Sequence, residues 1–154
     1  MPTAIEQAAP WLQGRTFASW RDEFDRRGYL IFERVLSPDH VAGIRAALAP
    51  YLERDLTGRN DFEGLKTNRV YALLAKSPLF ADLAIHPLAL AFAEAELGQS
   101  CLLSALLAIN LHSGETVQPW HFDDGGVKLP RPRQAAPAAS GVWSQCVLGD
   151  RRYD

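Results

Sequence analysis

Cysteine is scarce in this chain, with Cys101 and Cys146 the only two. Two cannot build a disulfide framework. The N-terminus carries Glu6 and lacks a basic segment followed by an apolar core, so the pair reads as reduced, mostly buried thiols, although the sequence leaves their pairing open. Long apolar runs are also missing: the longest, residues 102–109, is interrupted by Ser104 and falls far short of the roughly 20 residues that a membrane-spanning helix needs. There is no excess of basic charge either. The 16 Lys and Arg against 18 Asp and Glu leave a net charge of −2, and no basic stripe is interleaved with aromatics, which argues against a nucleic-acid partner. Arg131-Pro132-Arg133 reads as an exposed loop. No internal repeat, phosphate-binding glycine loop, dinucleotide fingerprint, paired-cysteine motif or serine nucleophile elbow is present. What remains, 47% hydrophobic and 22% charged residues in 154, describes a globular, cytoplasmic chain of one domain, 1–154, large enough to bury its own core.

Histidine is scarce as well, with four in the chain and none after His121. That last one stands in Gln118-Pro119-Trp120-His121-Phe122-Asp123. In an extended segment alternate side chains share a face, roughly 6.5 Å apart at Cα, so His121 and Asp123 can converge on one ion while Phe122 turns away. An imidazole and a carboxylate, joined by a second imidazole, form the facial triad of non-haem Fe(II) oxygenases, which leaves one coordination face open. Spacing alone is a weak signal. With four His and ten Asp, an H-x-D arises by chance in roughly a quarter of such chains. The bland reading is a polar strand terminus in which one residue hydrogen-bonds the other. The setting favours a site: an apolar stretch of strand length at 102–109, then Asn110-Leu111-His112, a turn at Ser113-Gly114-Glu115, and then the motif.

Upstream, residues 1–14 are expected to form a loose arm. Phe17, Trp20 and Phe24 recur at helical spacing, and Gly28 ends that helix in a left-handed turn. Residues 29–32 read as a short strand. Ser37-Pro38-Asp39 caps a helix running to about Arg54 that buries Val41, Ile44, Leu48 and Tyr51 or Leu52. Residues 55–67 turn polar and glycine-rich, as a mobile loop would, lying across a site mouth or serving as a plain surface connection. Ser77-Pro78 and His86-Pro87 each start a further helix, the second ending at Gly98. His40 and His86 suit hydrogen-bonded helix starts better than metal ligation. His112 is the one candidate for a substitute third ligand. Residues 129–141 are a Pro/Ala-rich loop.

From Phe24 to Trp143 the chain resembles the phytanoyl-CoA dioxygenase family of Fe(II)- and 2-oxoglutarate-dependent oxygenases. The segments that carry the resemblance are residues 28–37 (Gly28-Tyr29-Leu30-Ile31-Phe32 onward), Asn68-Arg69-Val70-Tyr71-Ala72-Leu73-Leu74, Ile85-His86-Pro87-Leu88 and Trp120-His121-Phe122-Asp123, in that order. The resemblance implies an α+β fold, a double-stranded β-helix of the jelly-roll or cupin-like kind with flanking helices. It also implies a reaction in which 2-oxoglutarate is oxidatively decarboxylated to succinate and carbon dioxide while O2 serves to hydroxylate an unactivated C–H bond of a small molecule. His121 and Asp123 match the first two metal ligands. Asn110 is similar to a position that helps hold 2-oxoglutarate, Arg69 to a basic residue directed at a cosubstrate carboxylate, and Trp143 to an aromatic on the strand after the motif. The bland alternatives are a strand-end hydrogen bonder, a solvated charge and a core residue.

The family pattern continues with a segment bearing the distal metal histidine and then an arginine for the far carboxylate of 2-oxoglutarate. Neither follows here, and Arg151 and Arg152 lie too close to the first motif. The expectation is a fold incomplete at its C-terminus, by truncation or frameshift. Two rivals to a working oxygenase stand beside it: an inactive remnant or interaction module, and a zinc-binding protein that would need His112. Two ligands without the third and without the arginine should hold iron and 2-oxoglutarate weakly, so no succinate formation by the chain alone is expected. Strands at 102–109 and 143–148 left without partners would favour self-association.

Overall fold

Thr3 and Glu6 open the first element by exchanging hydrogen bonds: the Glu6 N–H donates to the Thr3 hydroxyl (3.2 Å) and the Thr3 N–H to the Glu6 carboxylate (2.7 Å). This reciprocal cap satisfies two amides that a helix start leaves orphaned. Helix α1 (Ala4–Ala8) follows and runs into a 3-10 turn, Ala9–Trp11. In this computed structural model, residues 2–53 and 57–120 are described. They fall into two units, residues 2–41 with 85–101, and residues 42–84 with 102–120.

The first unit corrects the expected loose arm. Ala8 and Leu12 are buried together with Trp20, Leu88 and Ala91, and α1 packs on α5 (Pro87–Leu97). Small side chains at Ala8 and Ala91 let two short helices approach closely, and the apolar area removed from water holds the arm down. Helix α2 (Phe17–Arg27) forms where the aromatic spacing predicts it. Trp20 is buried, and Gly28 closes the helix at φ 76° with its N–H on the Phe24 carbonyl (2.7 Å). The Trp20 indole N–H is satisfied by the Leu12 carbonyl at 2.8 Å. Phe17, Phe32 and Phe92 form a chain of tilted rings with centroids 4.7 and 5.8 Å apart.

Residues 29–32 do not form the expected strand. They keep its alternation, Leu30 and Phe32 facing the core and Tyr29 and Ile31 exposed, but no strand among the described residues pairs with them. One-sided burial against helices reproduces the period-2 pattern without a ladder.

The second unit contains most of α3 (Pro38–Leu52), whose Ile44 and Leu48 are buried as the sequence predicts, while Val41, Tyr51 and Leu52 are half-buried. Ser37 caps this helix by accepting the His40 N–H at 3.2 Å. Arg54, its expected end, lies outside the described residues. Helix α4 (Pro78–Ala84) buries Phe80. Strands β1 (Thr67–Val70) and β2 (Ala108–Leu111) pair antiparallel, with Asn68 opposite Asn110 and Arg69 opposite Ile109. The expected strand 102–109 shrinks to this four-residue register. Leu102 and Leu103 are exposed, and only the Leu106 carbonyl of that stretch is tied to the segment after β1, accepting the Leu73 N–H at 3.2 Å. An open apolar groove of about 370 Å³ lies there, lined by Tyr71, Leu73, Leu74, Leu103 and Leu106 among others. Among the described residues the architecture is therefore helices with one small two-stranded sheet. No single described helix is long and apolar enough to cross a membrane.

Candidate metal centre

The β1–β2 register decides which side chains meet. Residues opposite each other share a face and neighbours along a strand alternate, so Asn68 and Asn110 project from one side of the ribbon, and Arg69 and Ile109 from the other. On the first side the Asn110 amide donates to Asn68 Oδ1 at 3.4 Å. His112 Nε2 contacts the same Oδ1 and lies 3.4 Å from Asn110 Nδ2. Asn68 is buried (5% exposed), and the polar trio supplies partners for its amide oxygen. On the other side the Arg69 Nε–H donates to the Glu63 carbonyl at 2.8 Å. The two residues matched to cosubstrate positions, Asn110 and Arg69, thus do not converge from this ribbon.

Beyond β2 the chain turns. The His112 N–H extends the ladder to the Lys66 carbonyl (3.0 Å), and the Glu115 N–H closes back on the His112 carbonyl (3.3 Å), with Gly114 at φ 80°. Glu115 then reaches across the ribbon. Its carboxylate accepts the Lys66 N–H at 2.6 Å and the Thr67 hydroxyl at 2.7 Å, and these bonds, led by that of Thr67, hold its pKa below the ordinary carboxylate value. Three residues on, the Gln118 amide donates to the Phe62 carbonyl. The chain passes through exposed Trp120 to His121. His121, Asp123, Trp143 and the loop 129–141 lie outside the described residues.

The loop before β1 is closed on itself. The Gly58 N–H is shared between the carbonyls of Gly64 and Thr67, both at 3.0 Å, and the Glu63 N–H donates to the Asn60 side chain at 2.9 Å. Arg59 pairs with Glu63, whose carboxyl it lowers to about 2. Glycine is required twice: a Cβ on Gly58 would lie 2.5 Å from the Gly64 carbonyl oxygen, and one on Gly64 would lie 2.4 Å from the Thr67 hydroxyl.

No group of three or more His, Cys, Asp or Glu fit to hold a metal occurs among the described residues. His112, the candidate third ligand, has its imidazole against Asn68. His86 does what its position predicts: Nδ1 accepts the Leu88 N–H (3.3 Å) and the ring packs edge-on to Trp11 at 4.5 Å. An imidazole and a carboxylate, donor types that suit ferrous iron, stand two residues apart at His121 and Asp123, in the segment that follows β2 in sequence. Sequence reasoning missed Asn68, Glu115 and Gln118. None of the three had a local signal, since they depend on contacts 42 to 56 residues away in sequence.

Neither a curated protein nor a solved structure matches the chain. A family model does, over residues 24–144, which takes in the last turn of α2, the β1–β2 ribbon and the H-x-D. A match over more than three-quarters of the chain places it: the protein belongs to the phytanoyl-CoA dioxygenase (PhyH) family, cupin-like in fold and oxygenases in chemistry.

Proposed function

We propose that this chain is an Fe(II)- and 2-oxoglutarate-dependent dioxygenase of the phytanoyl-CoA dioxygenase type, acting on a small molecule, with β1 and β2 as part of the double-stranded β-helix. One observation carries the reading: the family match runs through Trp120-His121-Phe122-Asp123, and β2 feeds that motif through a turn hydrogen-bonded to β1. His121 and Asp123 would hold the metal. When bound, ferrous iron supplies the redox chemistry by which O2 and 2-oxoglutarate become succinate, carbon dioxide and one hydroxyl oxygen on the substrate.

The chain's own groups set the conditions. His121 would offer a ring nitrogen to the metal in its neutral form. Asp123 supplies one negative charge. Asn110, on the ribbon face shared with Asn68, is the described residue best suited to donate a hydrogen bond to a cosubstrate carboxylate, and Trp143 would supply the aromatic that the family places after the motif. Arg69 lies on the opposite face with its Nε engaged by the Glu63 carbonyl, so Asn110 rather than Arg69 is the ribbon residue assigned to the cosubstrate.

The test is anaerobic titration with Fe(II) and 2-oxoglutarate. The expected result is weak but saturable uptake of one equivalent of metal, 2-oxoglutarate uptake only in its presence, and loss of both in His121→Ala and Asp123→Ala. Metal uptake indifferent to both substitutions overturns the reading.

A further inference from the structure

We infer that Glu115 and Gln118 are positioning residues for the metal motif, fastening loop 57–66 and the start of β1 to the segment that enters Trp120-His121. This rests on the metal reading above.

Both Glu115 oxygens are occupied. One accepts the Lys66 N–H and the Thr67 hydroxyl (2.6 and 2.7 Å), and the other accepts the Thr116 N–H and hydroxyl (2.8 and 3.2 Å). The carboxylate therefore grips β1 with one oxygen and the chain just past the turn with the other. Hydrogen bonds to an ionised acceptor are shorter and stronger than neutral ones. Gln118 adds a second, independent tie, its amide donating to the Phe62 carbonyl inside the loop. The loop is internally closed by Gly58, Asn60 and the Arg59–Glu63 pair. A loop so fastened is poorly suited to swing as a free lid. What the ties do is fix where the chain leaves β2, six residues and then three residues ahead of His121. Metal ligands must be held to a fraction of an ångström, and groups outside the coordination sphere commonly do the holding.

The experiment is Co(II) titration of the full chain by visible absorbance, paired with trypsin cleavage after exposed Arg59. In the wild type, Co(II) should slow that cleavage. In Glu115→Ala the Co(II) affinity should fall on the order of tenfold, as loss of an outer-sphere support commonly costs, and cleavage should no longer respond to metal. Glu115→Gln keeps one acceptor oxygen and should fall between the two. Gln118→Ala alters an exposed side chain, so it keeps the inference falsifiable if Glu115→Ala does not fold, and it should weaken Co(II) by a smaller factor in the same direction. Wild-type Co(II) affinity in Glu115→Ala and Gln118→Ala, with uptake still lost in His121→Ala, overturns the positioning role alone. Co(II) uptake that survives His121→Ala overturns the metal reading and the positioning role together.

Discussion

Gly64 holds φ at 90° with the Thr67 hydroxyl and a Glu115 carboxylate oxygen crowding the place of a Cβ, at 2.4 and 2.6 Å. Gly64→Ala therefore meets backbone strain and a clash at once, and should destabilise the second unit by about 2 kcal/mol or more, read as a lowered urea midpoint. An unchanged midpoint would show that the Glu115 clamp is not formed as described. His86 makes a prediction about pH. Burial first, and nearby His40 second, hold its pKa below the ordinary 6.5. The unfolded chain thus binds the proton before the folded one does. The stabilisation from neutral His86, whose Nδ1 caps α5, is complete above the unfolded value and is lost as pH falls through the folded one. Melting temperature should drop between about pH 7.5 and about pH 5.5, and drop less in His86→Asn, which caps without titrating. An equal drop in both proteins would remove His86 as the cause.

At the scale of elements, the helices were legible wherever a cap and an apolar spacing agreed. Thr16 and Gly28 bracket α2, Ser37-Pro38 opens α3, and His86-Pro87 opens α5 with Gly98 at its end. The N-terminal helix, too, has its local signal in Thr3-x-x-Glu6, a reciprocal cap that outweighs Pro2 and Pro10. Thr3→Ala should remove the reciprocal cap at a cost of about 1 kcal/mol, visible as faster amide exchange across Ala4–Ala8 with the rest of the first unit unchanged. Strands were the weaker part of the reading. Residues 29–32 and 102–107 have strand composition, but a strand exists only where a partner supplies its hydrogen bonds, and alternation or apolar length cannot report the partner.

At the scale of the molecule, β2 has a single neighbour among the described residues, and its own Ile109 and Leu111 are exposed. A strand edge left without a partner recruits other chains. Light scattering across a concentration series should therefore show association, reduced by Ile109→Lys; a monomer at every concentration would count against an open edge. The sequence by itself determined the chemistry on offer, because donor identity and the two-residue spacing of His121 and Asp123 are local properties, and so are the helix starts and stops. Only the tertiary structure decided that Asn110 and Arg69 face opposite sides of a ribbon, that Asn68 joins Asn110 and His112, and that Glu115 reaches Lys66 and Thr67. Those outcomes depend on strand register and on contacts between residues more than forty apart, which no local pattern encodes.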